Sequence, residues 1–232
     1  MSRRNKLQKF ADLLTFSNVY ESFDPSQPEL QGFNGELVNL KGQWATLHFN
    51  NDHPITLELA CGRGEYTLGL SRRYPHRNFI GVDIKGARIW KGARRALDEE
   101  LDNAAFLRTR IEALAHFFTP GEVDEIWITF PDPFLRNSKA NRRLTSPFFL
   151  DQYRALLAPA GKVHLKTDEP NLYAFTLEVL GRYPGARIFY HHDDIYSRPL
   201  PLPELELRTY YESIHLAAGK TIKYIQFGLP PL

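Results

Sequence analysis

The ten residues Leu57–Tyr66, LELACGRGEY, join an apolar run to an amphipathic one through two closely spaced glycines. "ITLELA" before them reads as a strand, and "CGRGEY" as a turn into a helix that lasts through Arg73. Gly62 and Gly64 permit a tight turn and a close approach of backbone to a ligand. About 20 residues further on, a second strand-like run, "NFIGVDI", ends at Asp83. A strand, a glycine turn, a helix and a second strand with a terminal acid form the start of a nucleotide-type α/β domain.

The pattern continues outward from there. "ARIWKGARRALDEEL" has helical periodicity, "AAFLRT" and "EIWITF" read as third and fourth strands, and "SPFFLDQYRALLAP" as a helix with Ser146 at its N-cap and Pro147 in its first turn. "GKVHLKT" follows as a fifth strand. "EPNLYAFTLEVLGRY" is a helix that Gly181 would cap, and "ARIFY" and "TIKYIQFG" are late strands. Strands alternating with helices predict a doubly wound, mostly parallel α/β sheet. Residues 20–45 mix Pro, Gly, Asn and aromatics and read as a lead-in. Residues 1–9 carry Arg3, Arg4, Lys6 and Lys9 without an acid and read as a mobile basic arm.

Two cofactor chemistries compete for the glycine turn, beside a bare structural turn that binds nothing. A dinucleotide site uses G-x-G-x-x-G to seat a pyrophosphate on a helix N-terminus. Here the run is Ala60-Cys61-Gly62-Arg63-Gly64, which does not meet that spacing. Glu58 also precedes the turn, and a carboxylate there suits a positively charged cofactor such as S-adenosylmethionine and repels a pyrophosphate. Asp83 is placed to accept hydrogen bonds from ribose hydroxyls. Cys61 reads as a small packing residue, since no His or Asp lies near it in sequence.

The second unusual stretch is "FPDPFLRNSKANRRL", Phe130–Leu144, where Asp132 stands between two prolines just beyond the fourth strand. Ligands of open α/β sheets bind outside the carboxyl ends of strands, so Glu58, Asp83 and Asp132 are expected on one rim. Pro131 and Pro133 fix their own φ and bias the residues before them to extended backbone, which preorganises the carboxylate. Arg136, Lys139, Arg142 and Arg143 follow with no acid among them and form a candidate phosphate patch. Near the end of the chain, "TYYES" has the Thr-x-x-Glu spacing of a capping box, which would start a helix ending at Gly219.

Composition limits the remaining possibilities. The chain has 232 residues, 43% hydrophobic and 24% charged, ordinary for a soluble domain with a sizeable core. No apolar run reaches the roughly 18 residues of a membrane span, and no apolar stretch follows the basic N-terminus as in a secretory signal. One cysteine excludes an intrachain disulfide and fits a reducing, cytosolic setting. The net charge is only +2, so a nucleic-acid role must rest on local patches.

Taken together, "LELACGRGEY", "FIGVDIK", "ITFPDPF…NRRL", "LKTD" and "TYYE" resemble, in order and spacing, the tRNA (guanine-N7-)-methyltransferase family over roughly Thr56 to Gly228. The FPDP segment followed by two arginines is the most specific of these motifs. The resemblance implies a Rossmann-like class I methyltransferase fold with a seven-stranded sheet and an antiparallel late strand. It implies S-adenosylmethionine as cofactor, no metal, and tRNA as partner, with methylation at N7 of a variable-loop guanosine conventionally numbered 46. Residues 1–50 would be the arm and lead-in, and 51–232 the methyltransferase domain.

By motif match, Glu58, Gly62, Gly64, Asp83, Arg110 and Asp132 would contact the cofactor, and Asp132 would be the catalytic or substrate-orienting acid. Arg136, Asp168, Thr209, Tyr210, Tyr211 and Glu212 would contact substrate, with Lys139, Arg142 and Arg143 on tRNA phosphates. The chain departs from the family pattern twice. Ala60 stands where the first glycine of the turn usually lies. Arg110, with Glu112 as an alternative, stands where an Asp or Asn usually faces the adenine. A cytoplasmic protein, monomeric or homodimeric and away from membranes, is expected. The rival functions are an exocyclic-amino methyltransferase, since PDPF is faintly similar to a D-P-P-Y motif, an NAD-dependent oxidoreductase, and a non-catalytic RNA-binding module.

Overall fold

The computed structural model describes residues 5–22, 24, 26 and 28–231. The chain divides into two compact units, Met1–Thr119 and Pro120–Leu232.

In the first unit three parallel strands carry the frame: β4 (Ile55–Leu59), β5 (Asn78–Asp83) and β6 (Ala104–Arg108). Every residue of β4 and β5 is buried, including the polar Thr56 and Glu58, so the alternation Ile-Thr-Leu-Glu-Leu along β4 does not mark a solvent face. Helix α2 (Glu65–Arg73) follows β4, and α3 (Gly86–Asp98) follows β5, as the periodicity predicts. The lead-in holds three short strands that the sequence did not reveal: β1 (Val19–Glu21), β2 (Leu30–Gln31) and β3 (Leu37–Val38). β1 extends the sheet parallel to β6, and β2 and β3 continue it antiparallel, giving the order β3-β2-β1-β6-β5-β4.

The basic arm also differs from expectation. Residues Lys6–Leu13 form helix α1, started by a capping box in which Asn5 accepts from the Gln8 amide and Gln8 accepts from that of Asn5. Leu13 and Phe16 enter an apolar cluster with Ile89 and Ala93 of α3, and Trp90 Nε1 donates to Asp12 at 3.0 Å. Arg3 and Arg4 lie outside the described residues.

In the second unit β7 (Val123–Thr129) pairs parallel with β8 (Leu157–Thr167). β10 (Lys223–Gly228) runs antiparallel to both β8 and β9 (Arg187–His192), giving the order β7-β8-β10-β9. Among the described residues there are thus ten strands, where seven were expected; the surplus is the three-strand lead-in. Helix α4 (Pro147–Leu156) begins after Ser146 with Pro147 in its first turn, but the Ser146 hydroxyl donates to the Asn141 carbonyl instead of accepting from the helix. Helix α5 (Pro170–Arg182) runs through Gly181, and the left-handed glycine that follows it is Gly185, at φ +76°. Helix α6 (Tyr210–Ala217) starts at Thr209, and Gly219 stands beyond its end at φ +74°. No helix among the described residues is long and apolar enough to cross a membrane.

Candidate active site

The glycine turn of the first unit is built around backbone that faces open space. Gly62 has φ +58°, and a Cβ there would meet only the Ala60 carbonyl, at 4.0 Å. Gly64, also left-handed, has the opposite constraint: any side chain would collide with the ring of Phe106 on β6. The two glycines therefore serve different needs, ligand approach at Gly62 and packing at Gly64. Ala60 is itself left-handed at φ +56°, so the turn keeps the geometry a glycine would give and strains the alanine.

Asp83 ties this turn to the end of β5. Its Oδ2 accepts from the Gly62 amide and its Oδ1 from the Lys85 amide, both at 2.9 Å. Each oxygen keeps a second lone pair, so ribose hydroxyls can be accepted as well. Glu58 has a role the sequence did not announce. Gly64 has no side chain to cap α2, and Glu58 Oε2 accepts instead from the Thr67 amide at 2.8 Å and its hydroxyl at 2.6 Å. The carboxylate thus satisfies an orphan donor of the helix start from the neighbouring strand. Cys61 is a packing residue: burial, with the Glu58 and Asp83 carboxylates nearby, pushes its thiol well above the ordinary range. Arg110 and Glu112 are exposed, at the head of a 3₁₀ segment Ile111–His116. An open glycine backbone and two carboxylates, without the spacing of a pyrophosphate cradle, fit a cationic nucleoside cofactor.

The Asp132 loop of the second unit is strained on both sides. Phe130 has φ +50° and Phe134 has φ +42°, conformations that cost non-glycine residues on the order of 1–3 kcal/mol each. Phe130 thus departs from the extended backbone expected ahead of Pro131. The Phe130 amide donates to the Lys166 carbonyl at 2.8 Å, and exposed Asp132 accepts from the Phe134 amide at 3.2 Å through Oδ1.

The four cations after this loop divide into two groups. Arg136, Lys139 and Arg142 are exposed, with Arg142 4.7 Å from the centre of the Phe134 ring. Arg143 is 5% exposed, and the phosphate role expected for it does not fit that burial. Its Nε donates to the carbonyls of Pro133 and Phe134 at 3.1 and 3.3 Å, and its Nη2 to those of Phe134 and Leu135 at 3.1 and 3.5 Å. The guanidinium also lies 4.4 Å from the centre of the Phe175 ring on α5.

The "TYYE" motif contains both buried and exposed groups. The capping box is present: Thr209 Oγ1 accepts from the Glu212 amide at 3.1 Å, and Glu212 Oε2 from the Thr209 amide at 3.3 Å. Glu212 is fully buried, which the substrate contact expected for it does not fit: its Oε1 is held by Lys166 Nζ at 2.8 Å and by the Tyr196 hydroxyl at 2.5 Å. Burial pushes the Lys166 ammonium below the ordinary lysine range, and the Glu212 carboxylate pulls it back up. Lys166 Nζ also donates to the Leu205 and Leu207 carbonyls. Asp168 Oδ2 pairs with Lys220 at 2.5 Å and lies 3.4 Å from His215, whose ring stacks on Phe130 at 6.0 Å. Tyr210 and Tyr211 are about half exposed, with their rings edge-on to each other at 5.8 Å. Lys166 lies inside the LKTD motif without a role expected for it, and Tyr196 lies in none of the quoted motifs.

This fold and glycine turn define a class I methyltransferase. The 16S rRNA methyltransferase KamB superposes with a TM-score of 0.58 at 15% identity, over 84% of this chain and 97% of that one. The 16S rRNA (adenine(1408)-N(1))-methyltransferase of Catenulisporales acidiphilia gives 0.52 at 14% identity, over 84% and 95%. The family described as putative methyltransferase matches residues 52–225. A tRNA (guanine-N(7)-)-methyltransferase of Christiangramia forsetii is 46% identical, over 99% of this chain and 100% of its own length. Another, of Porphyromonas gingivalis, is 50% identical over 93% and 86%. The chain belongs to the tRNA (guanine-N(7)-)-methyltransferase family, which sets aside the oxidoreductase alternative.

Proposed function

We propose that the protein transfers a methyl group from S-adenosylmethionine to N7 of a guanosine in the tRNA variable loop, conventionally position 46. The observation that carries this reading is the 46% identity with a tRNA (guanine-N(7)-)-methyltransferase over 99% of this chain and 100% of that one. Asp83 and the backbone of Gly62 and Gly64, with Arg110 beside the adenine, are assigned to the cofactor. Asp132 is assigned to the guanine. Arg136, Asp168, Thr209 and the faces of Tyr210 and Tyr211 are assigned to the surrounding nucleotides.

The chemistry asks little of a base. Guanine N7 carries a free lone pair on its major-groove edge and attacks without prior deprotonation. Bound S-adenosylmethionine supplies an electrophilic methyl group, whose bond to sulfur breaks as the bond to N7 forms. The protein's contribution is orientation, which can supply several kcal/mol, and a potential that favours the cationic product. Asp132 serves both needs: it accepts a hydrogen bond from the base and places negative charge near the ring as that ring becomes positive. Arg136, Lys139 and Arg142 hold phosphates, while splayed bases stack on tyrosine faces. The cytoplasm, where tRNA is modified, is the compartment that fits, and the working form is a monomer or a homodimer.

The deciding experiment is incubation with methyl-labelled S-adenosylmethionine and unmodified tRNA, followed by nucleoside mass spectrometry and chemical cleavage at 7-methylguanosine. Label on an exocyclic nitrogen, or none at all, would overturn the assignment.

A further inference from the structure

We propose that Arg143 is a positioning residue for methyl transfer, acting through the backbone of the Asp132 loop and not on tRNA phosphates. The inference rests on the reading of Asp132 as the residue that orients the guanine.

Arg143 is buried where its charged neighbours Arg136, Lys139 and Arg142 are exposed. Two of its nitrogens donate to three consecutive carbonyls, those of Pro133, Phe134 and Leu135. These carbonyls belong to the segment immediately after the carboxylate. Phe134, the middle one, is left-handed at φ +42°, a conformation that persists only when its surroundings over-determine it. The Phe134 amide is in turn the donor to Asp132 Oδ1. A continuous path therefore runs from guanidinium to carbonyls, to the strained peptide, to the amide, to the carboxylate. A planar fork with several fixed donors makes that set of bonds, and an ammonium at the same site cannot reproduce it. Phe175 packs on the guanidinium and keeps it in register. The stiffness at Asp132 thus comes from an arginine eleven residues away as well as from the prolines at its sides.

The test compares Arg143→Lys with Asp132→Ala in steady-state methyl transfer to unmodified tRNA. Equilibrium tRNA binding across a salt series and the thermal midpoint are measured alongside. Arg143→Lys retains the charge and is expected to lower kcat at least tenfold. KM for tRNA and the slope of log K against log salt should stay within error of wild type. Arg143→Ala should regain part of its kcat when methylguanidinium is added. Should either variant fold poorly, Phe175→Leu removes the surface under the guanidinium and should lower kcat in the same sense, with tRNA affinity unchanged.

A wild-type kcat in Arg143→Lys overturns the proposal. So does a loss confined to KM with a salt slope reduced by about one, the mark of a phosphate contact. If Asp132→Ala is inactive while Arg143→Lys keeps a wild-type kcat, only the Arg143 inference falls. If Asp132→Ala turns over normally, the reading of Asp132 falls and the inference falls with it.

Discussion

Lys166 and Glu212 form an ion pair at 2.8 Å with both side chains fully buried. Its backbone consequences reach further than its charge. The Lys166 carbonyl accepts from Phe130 at the head of the Asp132 loop, and its ammonium donates to the carbonyls of Leu205 and Leu207 just before α6. Glu212→Gln leaves the lysine without its counterion in a buried site. Removing one partner of a buried pair typically costs about 3–5 kcal/mol, and the retained amide oxygen offsets part of that. The urea midpoint of Glu212→Gln is expected to fall clearly. An unchanged midpoint, the outcome the capping box alone would suggest, would show that the pair contributes nothing.

Asp132→Ala is expected to abolish most methyl transfer while S-adenosylmethionine binding and the thermal midpoint stay near wild type, because the side chain is exposed and its bond to the Phe134 amide is local. Asp132→Asn keeps an acceptor oxygen without the charge. Activity in Asn comparable to Asp would assign the role to geometry and remove electrostatics from it.

Asp83→Ala removes the acceptor of the Gly62 and Lys85 amides as well as the ribose contact. Calorimetry should register S-adenosylmethionine binding weaker by about 1–3 kcal/mol, the scale of lost charge-assisted bonds. Binding at wild-type strength would detach the end of β5 from the cofactor.

His48 makes folding pH-sensitive. Burial lowers its pKa to about 4, and its Nδ1 lies 2.7 Å from the Tyr20 hydroxyl, itself pushed up to about 12 by burial. The unfolded chain protonates this imidazole near 6.5, so between 6.5 and about 4 the unfolded state binds more protons. The His48 contribution is present above that window and is lost as pH falls through it. The loss is on the order of 2 kcal/mol once the partial exposure of the ring is allowed for. Urea titrations at pH 7 and pH 4 should show His48→Gln losing less stability than wild type; equal losses would exclude His48 as the sensor.

Arg142→Ala should weaken tRNA binding and flatten its salt dependence by about one unit, with kcat at saturating tRNA largely retained. Lys139→Ala should add to it. A salt slope that stays put in both would remove the exposed cations from the tRNA footprint.

The parallel frame was legible because short segments rich in Ile, Val, Leu and Phe alternate with helices that keep their period. β1, β2 and β3 were not, since strands of two or three residues carry too few positions for a period of two to register. At the site, the local signals could be read: the capping box of Thr209 and Glu212 and the glycine turn both lie within a few residues. The non-local ones could not. Arg142 and Arg143 are neighbours in one charge run, and only the path of the loop sends one to solvent and the other to three carbonyls. Glu212 reads as a capping-box acid and a substrate contact until Lys166, distant in sequence, is found against it.

The protein's tryptophans fall on both sides of the boundary at Thr119, with Trp44 and Trp90 in the first unit and Trp127 in the second. Trp44 and Trp127 are both fully enclosed, Trp44 stacked on Phe118 and Trp127 on the His164 ring at 4.0 Å. Each unit therefore carries its own optical reporter. Replacing Trp127 leaves emission from the first unit alone, and replacing the other two isolates the second. Coincident fluorescence transitions from the two forms would mean that both halves melt as one cooperative body; separated transitions would expose an intermediate with one half folded.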